Sequence, residues 1–195
     1  MSISLQKGQK VNLSKDNAGL SKVIVGLGWD EVKQPKGLFC RKAQAIDCDA
    51  SAVLLKNGSL CSKEDIIYFG NLVNRTKTVQ HMGDNLTGGG EGDDEQIMVD
   101  LVNIPAEYDK IVIVVNIYQA VQRKQHFGMI QNAFVRLVDT HNHKEICKYN
   151  LTENYSDMTA MIFCEIYRDN GEWKFNAIGQ GTTDASIGEL VRRYQ

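Results

Sequence analysis

Apolar and polar positions alternate with a period of two along much of this chain, as they do in strands that bury one face. Val23-Ile-Val-Gly-Leu-Gly-Trp29 reads as a strand ending in a glycine-punctuated turn. In Ile46–Lys56, Ile46, Cys48 and Ala50 fall on one face and Asp47 and Asp49 on the other. Ile66–Phe69 is a short apolar run, and Gln96–Val102 and Lys110–Tyr118 are β-branched runs that read as buried strands. Ala133–Val138 alternates, turns over Thr140–Lys144 and returns as Glu145–Leu151. Met161–Arg168 and Glu172–Ile178 flank Asp169-Asn-Gly171, a hairpin signal because Asn and Gly tolerate positive φ. Only Ala185–Tyr194 has helical spacing, with Ile187, Leu190, Val191 and Tyr194 on one face and Asp184 placed to cap it. The pattern predicts an all-β fold, a β-sandwich of two antiparallel sheets with a short C-terminal helix.

Composition narrows the picture. The 195 residues suffice for one sizeable core, and no repeat, linker or compositional break divides them, so residues 1–195 are expected to form one domain. Two prolines, Pro35 and Pro105, stand at expected strand borders, and Val32–Gly37 reads as a surface loop. The net charge of −2 supplies no global basic field for nucleic acid or anionic lipid. The longest aliphatic run, Ile111–Val115, is far too short to span a bilayer, and the N-terminus lacks the apolar stretch of a signal peptide. A cytoplasmic protein is expected. The five cysteines, Cys40, Cys48, Cys61, Cys147 and Cys164, form no C-x-x-C pair and are expected as reduced, packed thiols.

The chemistry concentrates in Gly83-Asp-Asn-Leu-Thr-Gly-Gly-Gly-Glu-Gly-Asp-Asp-Glu95. Five carboxylates (Asp84, Glu91, Asp93, Asp94 and Glu95) share this segment with no Lys or Arg. Crowded carboxylates repel one another, and a cation removes that cost. Calcium takes 6–8 oxygen ligands, and Asn85 and Thr87 add neutral oxygens while glycines such as Gly92 turn the backbone and aim its carbonyls. Asp47 and Asp49, at i and i+2, point to one side of a strand and are candidates for a cage shared with Asp84, Asp93 and Glu95. Asp30, after a glycine turn, is a further candidate ligand. Seven carboxylates exceed the need of one divalent ion, so two adjacent calcium ions are expected.

Other chemistries fit less well. With Asp84 at position one, an EF-hand register puts Leu86 and Gly88 at positions three and five, where side-chain oxygens are required. A glycine-rich phosphate cradle needs a Lys or a helix N-terminus, and these acids repel phosphate. His141-x-His143 has metal-ligand spacing but no neighbouring cysteine to complete a zinc set. No Ser-His-Asp arrangement is readable. The sequence therefore favours a non-enzymatic calcium-binding protein; the alternative is a metal-dependent hydrolase or nucleotide-binding protein using the same acidic site.

The segments Leu5–Leu13, Val25-Gly-Leu-Gly-Trp-Asp30, Ile46-Asp-Cys-Asp-Ala-Ser51, Phe69, Gly83–Glu95 and Ile117-Tyr118 together resemble the TerD family of tellurite-resistance and stress proteins. The resemblance implies a β-sandwich that binds calcium through acidic residues, in a setting of chemical-stress or tellurite resistance, with other tellurite-resistance proteins as possible partners. Cys48 departs from the hydrophobic residue usual at that position.

Overall fold

A computed structural model describes residues 2–31, 45–84 and 92–195, apart from the side chains of Glu31 and Asp84. The expected surface loop at 32–37, Cys40, and the candidate ligands Asn85, Thr87 and Glu91 lie outside the described residues.

Among the described residues two six-stranded sheets face each other. The first runs, in spatial order, β1 (Ile3–Leu5), β10 (Glu145–Asn150), β9 (Ile130–Asp139), β3 (Lys22–Glu31), β7 (Glu95–Asp100) and β6 (Val79–Asp84). The second runs β2 (Lys10–Asn12), β12 (Glu172–Thr182), β11 (Ala160–Asp169), β8 (Lys110–Ile117), β4 (Cys48–Leu55) and β5 (Ile66–Ile67). The pairing is antiparallel as expected, except that β1 lies parallel to β10. Several expected boundaries shift: β3 runs on to Glu31, β4 begins at Cys48, β5 stops at Ile67, β7 stops at Asp100, β9 begins earlier at Ile130, and β12 continues to Thr182.

Between the sheets, alternate residues of each strand interdigitate: Val23, Val25 and Leu27 of β3, Ile97 and Val99 of β7, and Ala50, Ala52 and Leu54 of β4. The run on β8 has a separate cause. Its Ile111, Ile113 and Val115 enter this core, while Val112 and Val114 face outward under the C-terminal segment, against Leu190 and Val191. A strand buried on both faces loses alternation and reads as a continuous apolar run. The C-terminal segment is shorter than its pattern suggests, with α3 over Ile187–Leu190 and a 3-10 turn over Val191–Tyr194. Ser186, not Asp184, caps α3, because Ser186 Oγ accepts the Glu189 N–H at 3.3 Å while Asp184 pairs with Arg193. Two further short helices, α1 (Leu13–Asp16) and α2 (Ala120–Arg123), occupy connections.

Among the described residues no disulfide joins the cysteines, and Cys48, Cys147 and Cys164 pack in the core. Cys61 departs from the packed reading and is exposed. Burial pushes the Cys147 thiol up to about 12 and raises that of Cys164 well above its ordinary value. A thiolate reagent is therefore expected to modify Cys61 promptly, and Cys48, Cys147 and Cys164 only on unfolding. Mass spectrometry of the folded protein after a short pulse of reagent checks this; early label on Cys147 or Cys164 contradicts it.

Candidate metal site

The two ends of the acidic segment, Gly83–Asp84 and Gly92–Glu95, lie at one rim of the sandwich. There the end of β3, the start of β4, the end of β6, the start of β7 and the end of β8 come together, as the pairs Leu27↔Glu95, Asp84↔Glu95 and Cys48↔Ile117 show. Asp84 and Glu95 close the base of the loop that joins β6 to β7. Beyond Glu95 the β3 ladder continues for one more bond, from Asp94 N–H to Leu27 C=O at 2.7 Å.

The three acids at the C-terminal root of the loop take three different surroundings. Asp93 folds over Gly26 on the outer face of the first sheet and meets Arg136 of β9, with Nε to Oδ1 at 2.7 Å and Nη2 to Oδ2 at 3.1 Å. Gln96 Nε2 also donates to Asp93 Oδ2 at 2.9 Å. A Cβ at position 26 would fall on the Asp93 carboxylate, so only glycine leaves room for the pair. Glu95 points inward. Its Oε2 accepts the N–H of Ala50 on β4, in the opposite sheet, at 2.5 Å, at a point the short β5 does not reach. His81 of β6 lies beside it, with Nε2 3.5 Å from the same oxygen.

Asp94 stands differently. Its Oδ2 accepts the Trp29 N–H at 2.7 Å, where β3 bulges between Gly28 and Asp30. Burial, together with the negative charges of Asp30 and Asp93, holds the Asp94 carboxyl above its ordinary value, against the opposing donation from Trp29. Asp30 is exposed and accepts from Asn132 Nδ2 at 2.8 Å. Asp30 and Asp94 therefore bring negative charge together without a paired cation among the described residues. Gly92, exposed, precedes them in the returning chain.

Asp47 and Asp49 are not brought to this cluster. Cys48, Ala50, Ala52 and Leu54 face the inter-sheet core, so Asp49 falls on the face of β4 that carries Val53 and Leu55, the outer face of the second sheet. Asp47 precedes the strand, exposed, with Arg123 of α2 3.8 Å away. Asp93 occupies the outer face of the other sheet. Asp93 and Asp49 therefore stand on the outer faces of different sheets, which packed sheets hold about 10 Å apart, while Glu95 reaches across to Ala50, the neighbour of Asp49. Among the described residues no three His, Cys, Asp or Glu side chains group to hold an ion. A site here needs oxygens from residues 84–91.

Sequence reasoning passed over two residues of this rim, Arg136 and His81. Arg136 sits on the polar face of an alternating strand and reads as solvated. His81 stands two residues before Gly83, and that closeness to the acidic segment was its one available signal. His141 and His143, the pair with metal spacing, are exposed in the turn after β9.

The TerD domain profile matches residues 1–194. This chain belongs to the TerD family. Among its relatives is Stress response protein SCP2 of Bacillus subtilis (strain 168), 55% identical over 198 residues and covered, like this chain, in full. Tellurium resistance protein TerD of Serratia marcescens is 48% identical over 93% of this chain and 91% of its own. Two solved structures share the fold. A protein of unknown function superposes with a TM-score of 0.69 at 22% identity, over 91% of this chain and 99% of its own. A homologue of telluride resistance protein (TerD) from Streptomyces coelicolor A3(2) superposes with a TM-score of 0.62 at 19% identity, over 88% and 98%. The family is one of tellurium-resistance and general stress proteins. Among the described residues no helix is long and apolar enough to cross a membrane.

Proposed function

We propose that this TerD-family chain is a non-enzymatic calcium-binding protein contributing to tellurite and chemical-stress resistance, with its metal held by residues 83–95 and Asp30. The observation that supports this reading is the convergence of Asp94 and Asp30, two negative charges with no paired cation among the described residues, at the base of a loop that adds Asp84, Asn85, Thr87 and Glu91. The donor set is hard oxygen without thiolate, which suits calcium and not zinc or copper. The ligand set we propose comprises Asp94, Asp30, Asp84, Asn85, Thr87 and the carbonyl of Gly92. Asp93 and Glu95, engaged by Arg136 and by Ala50, fix the returning chain. A second ion draws on Asp47 and Asp49, with Asp49 on the outer face of the second sheet. Other tellurite-resistance proteins are the partners we propose, within the same stress response.

Calorimetry with calcium tests the assignment. Asp94→Asn is expected to weaken binding by about tenfold or more, because it removes one of the two charges that meet there, a loss of about 1.4 kcal/mol or more. Asp16→Asn, on α1, is expected to bind as the wild type. Wild-type affinity in Asp94→Asn rejects this ligand set. The same variant carries a pH signature. A carboxyl whose folded pKa is raised binds its proton more tightly in the folded state, so metal-free stability falls as pH rises through that pKa. Denaturant titrations of the metal-free protein at pH 4 to 7 are expected to show this loss in the wild type relative to Asp94→Asn, and saturating calcium is expected to abolish the difference.

A further inference from the structure

His81 is buried, 2% exposed, in the interior end of edge strand β6. Its position in the chain and its two ring nitrogens connect it to both roots of the acidic loop. On one side, Nδ1 accepts the N–H of Gly83 at 3.2 Å, at the outgoing root, where Gly83 takes φ +101°. A ring nitrogen that accepts carries no proton, so the proton of the neutral imidazole sits on Nε2. Among the described residues that Nε2 makes no hydrogen bond, and a polar atom beside it is Glu95 Oε2, 3.5 Å away at the returning root. Glu95 carries the link onward to Ala50 N–H in the opposite sheet. A buried donor without an acceptor costs free energy unless it is used, and the carboxylate that closes the loop is the group within its reach.

We propose that His81 is a positioning residue for the calcium site, a clasp that holds its two roots, Gly83 and Glu95, at a fixed separation. The proposal rests on the calcium reading above. The ring contributes no oxygen to the ion. It sets where the two ends of the loop stand; partners bonded directly to metal ligands commonly change affinity by about 10–100-fold when removed, and an effect at the lower end of that range is expected one step further out.

The test uses the full chain and calcium alone. His81→Leu fills the buried space without either nitrogen and is expected to bind calcium at least tenfold more weakly. His81→Gln, whose amide nitrogen reaches toward the position of Nε2, is expected to recover most of that loss. Ile97→Val, a core change at the residue paired with His81 across the β6–β7 ladder, is expected to leave affinity unchanged even where it lowers the metal-free melting temperature. A purely structural role for His81 predicts the opposite, with affinity following melting temperature across all three variants. Wild-type affinity in folded His81→Leu, or no recovery in His81→Gln, overturns the clasp. A second readout needs no metal. Amide exchange at Gly83 and Ala50 is expected to quicken in His81→Leu relative to the wild type. If the wild type binds no calcium, the functional reading falls, while the clasp stands or falls on this exchange, and unchanged exchange at both amides refutes it.

Discussion

Arg136→Ala is expected to destabilise the protein by about 3 kcal/mol, because it strands the Asp93 carboxylate, whose side chain is only 1% exposed. Asp93 lies over Gly26, its carboxylate in the space a Cβ there would need. Breaking a buried pair from one side costs more than removing both charges together. Asp93→Asn with Arg136→Met is therefore expected to lose less than Arg136→Ala alone, since Gln96 still has an amide to meet. For a chain of this length, 3 kcal/mol lowers the melting temperature by about 6–12 °C. Thermal unfolding of the two variants in chelator decides the matter. Coincidence of Arg136→Ala with the wild type contradicts the anchoring role of Asp93.

The fold was largely legible because its alternation is regular and its turns carry their own chemistry. Strands β3, β4 and β7 to β12 follow the apolar pattern, and the Asp169-Asn-Gly171 turn joins β11 to β12 with both Asn170 and Gly171 at positive φ. Strands β1 and β2 escaped notice because each is three residues long and gains its pairing only from distant partners, Cys147–Tyr149 and Lys174–Asn176. Strand β6 escaped because one of its inward residues is His81, which reads as polar until its burial is known. The acidic segment was visible as a crowd of like charges. The division of labour within it was not, since Asp93, Asp94 and Glu95 are adjacent in sequence but face Arg136, Trp29 and Ala50, all of them more than 40 residues away. The i, i+2 spacing of Asp47 and Asp49 implies a common side only where both lie in a strand, and β4 begins at Cys48. Which face of which sheet that side belongs to depends on how β4 packs, and local spacing carries no information about it.

Calcium is expected to have the largest effect of any ligand on this protein. An ion that binds only the folded chain stabilises it by about 2.7 kcal/mol at a hundredfold excess over its dissociation constant. In a chain of this length that raises the melting temperature by about 5–10 °C. The gain arises where Asp94 and Asp30 place negative charge that burial and mutual repulsion make costly, a cost that the bound ion removes. Magnesium, which demands a tight octahedron and gives up its water reluctantly, is expected to shift the curve far less at equal concentration. The most direct measurement is thermal unfolding of the metal-stripped protein at neutral pH, with calcium at saturation and with chelator. A calcium-dependent rise of several degrees that Asp94→Asn largely loses is the predicted result, and superimposable curves for the wild type in calcium and in chelator contradict the calcium site.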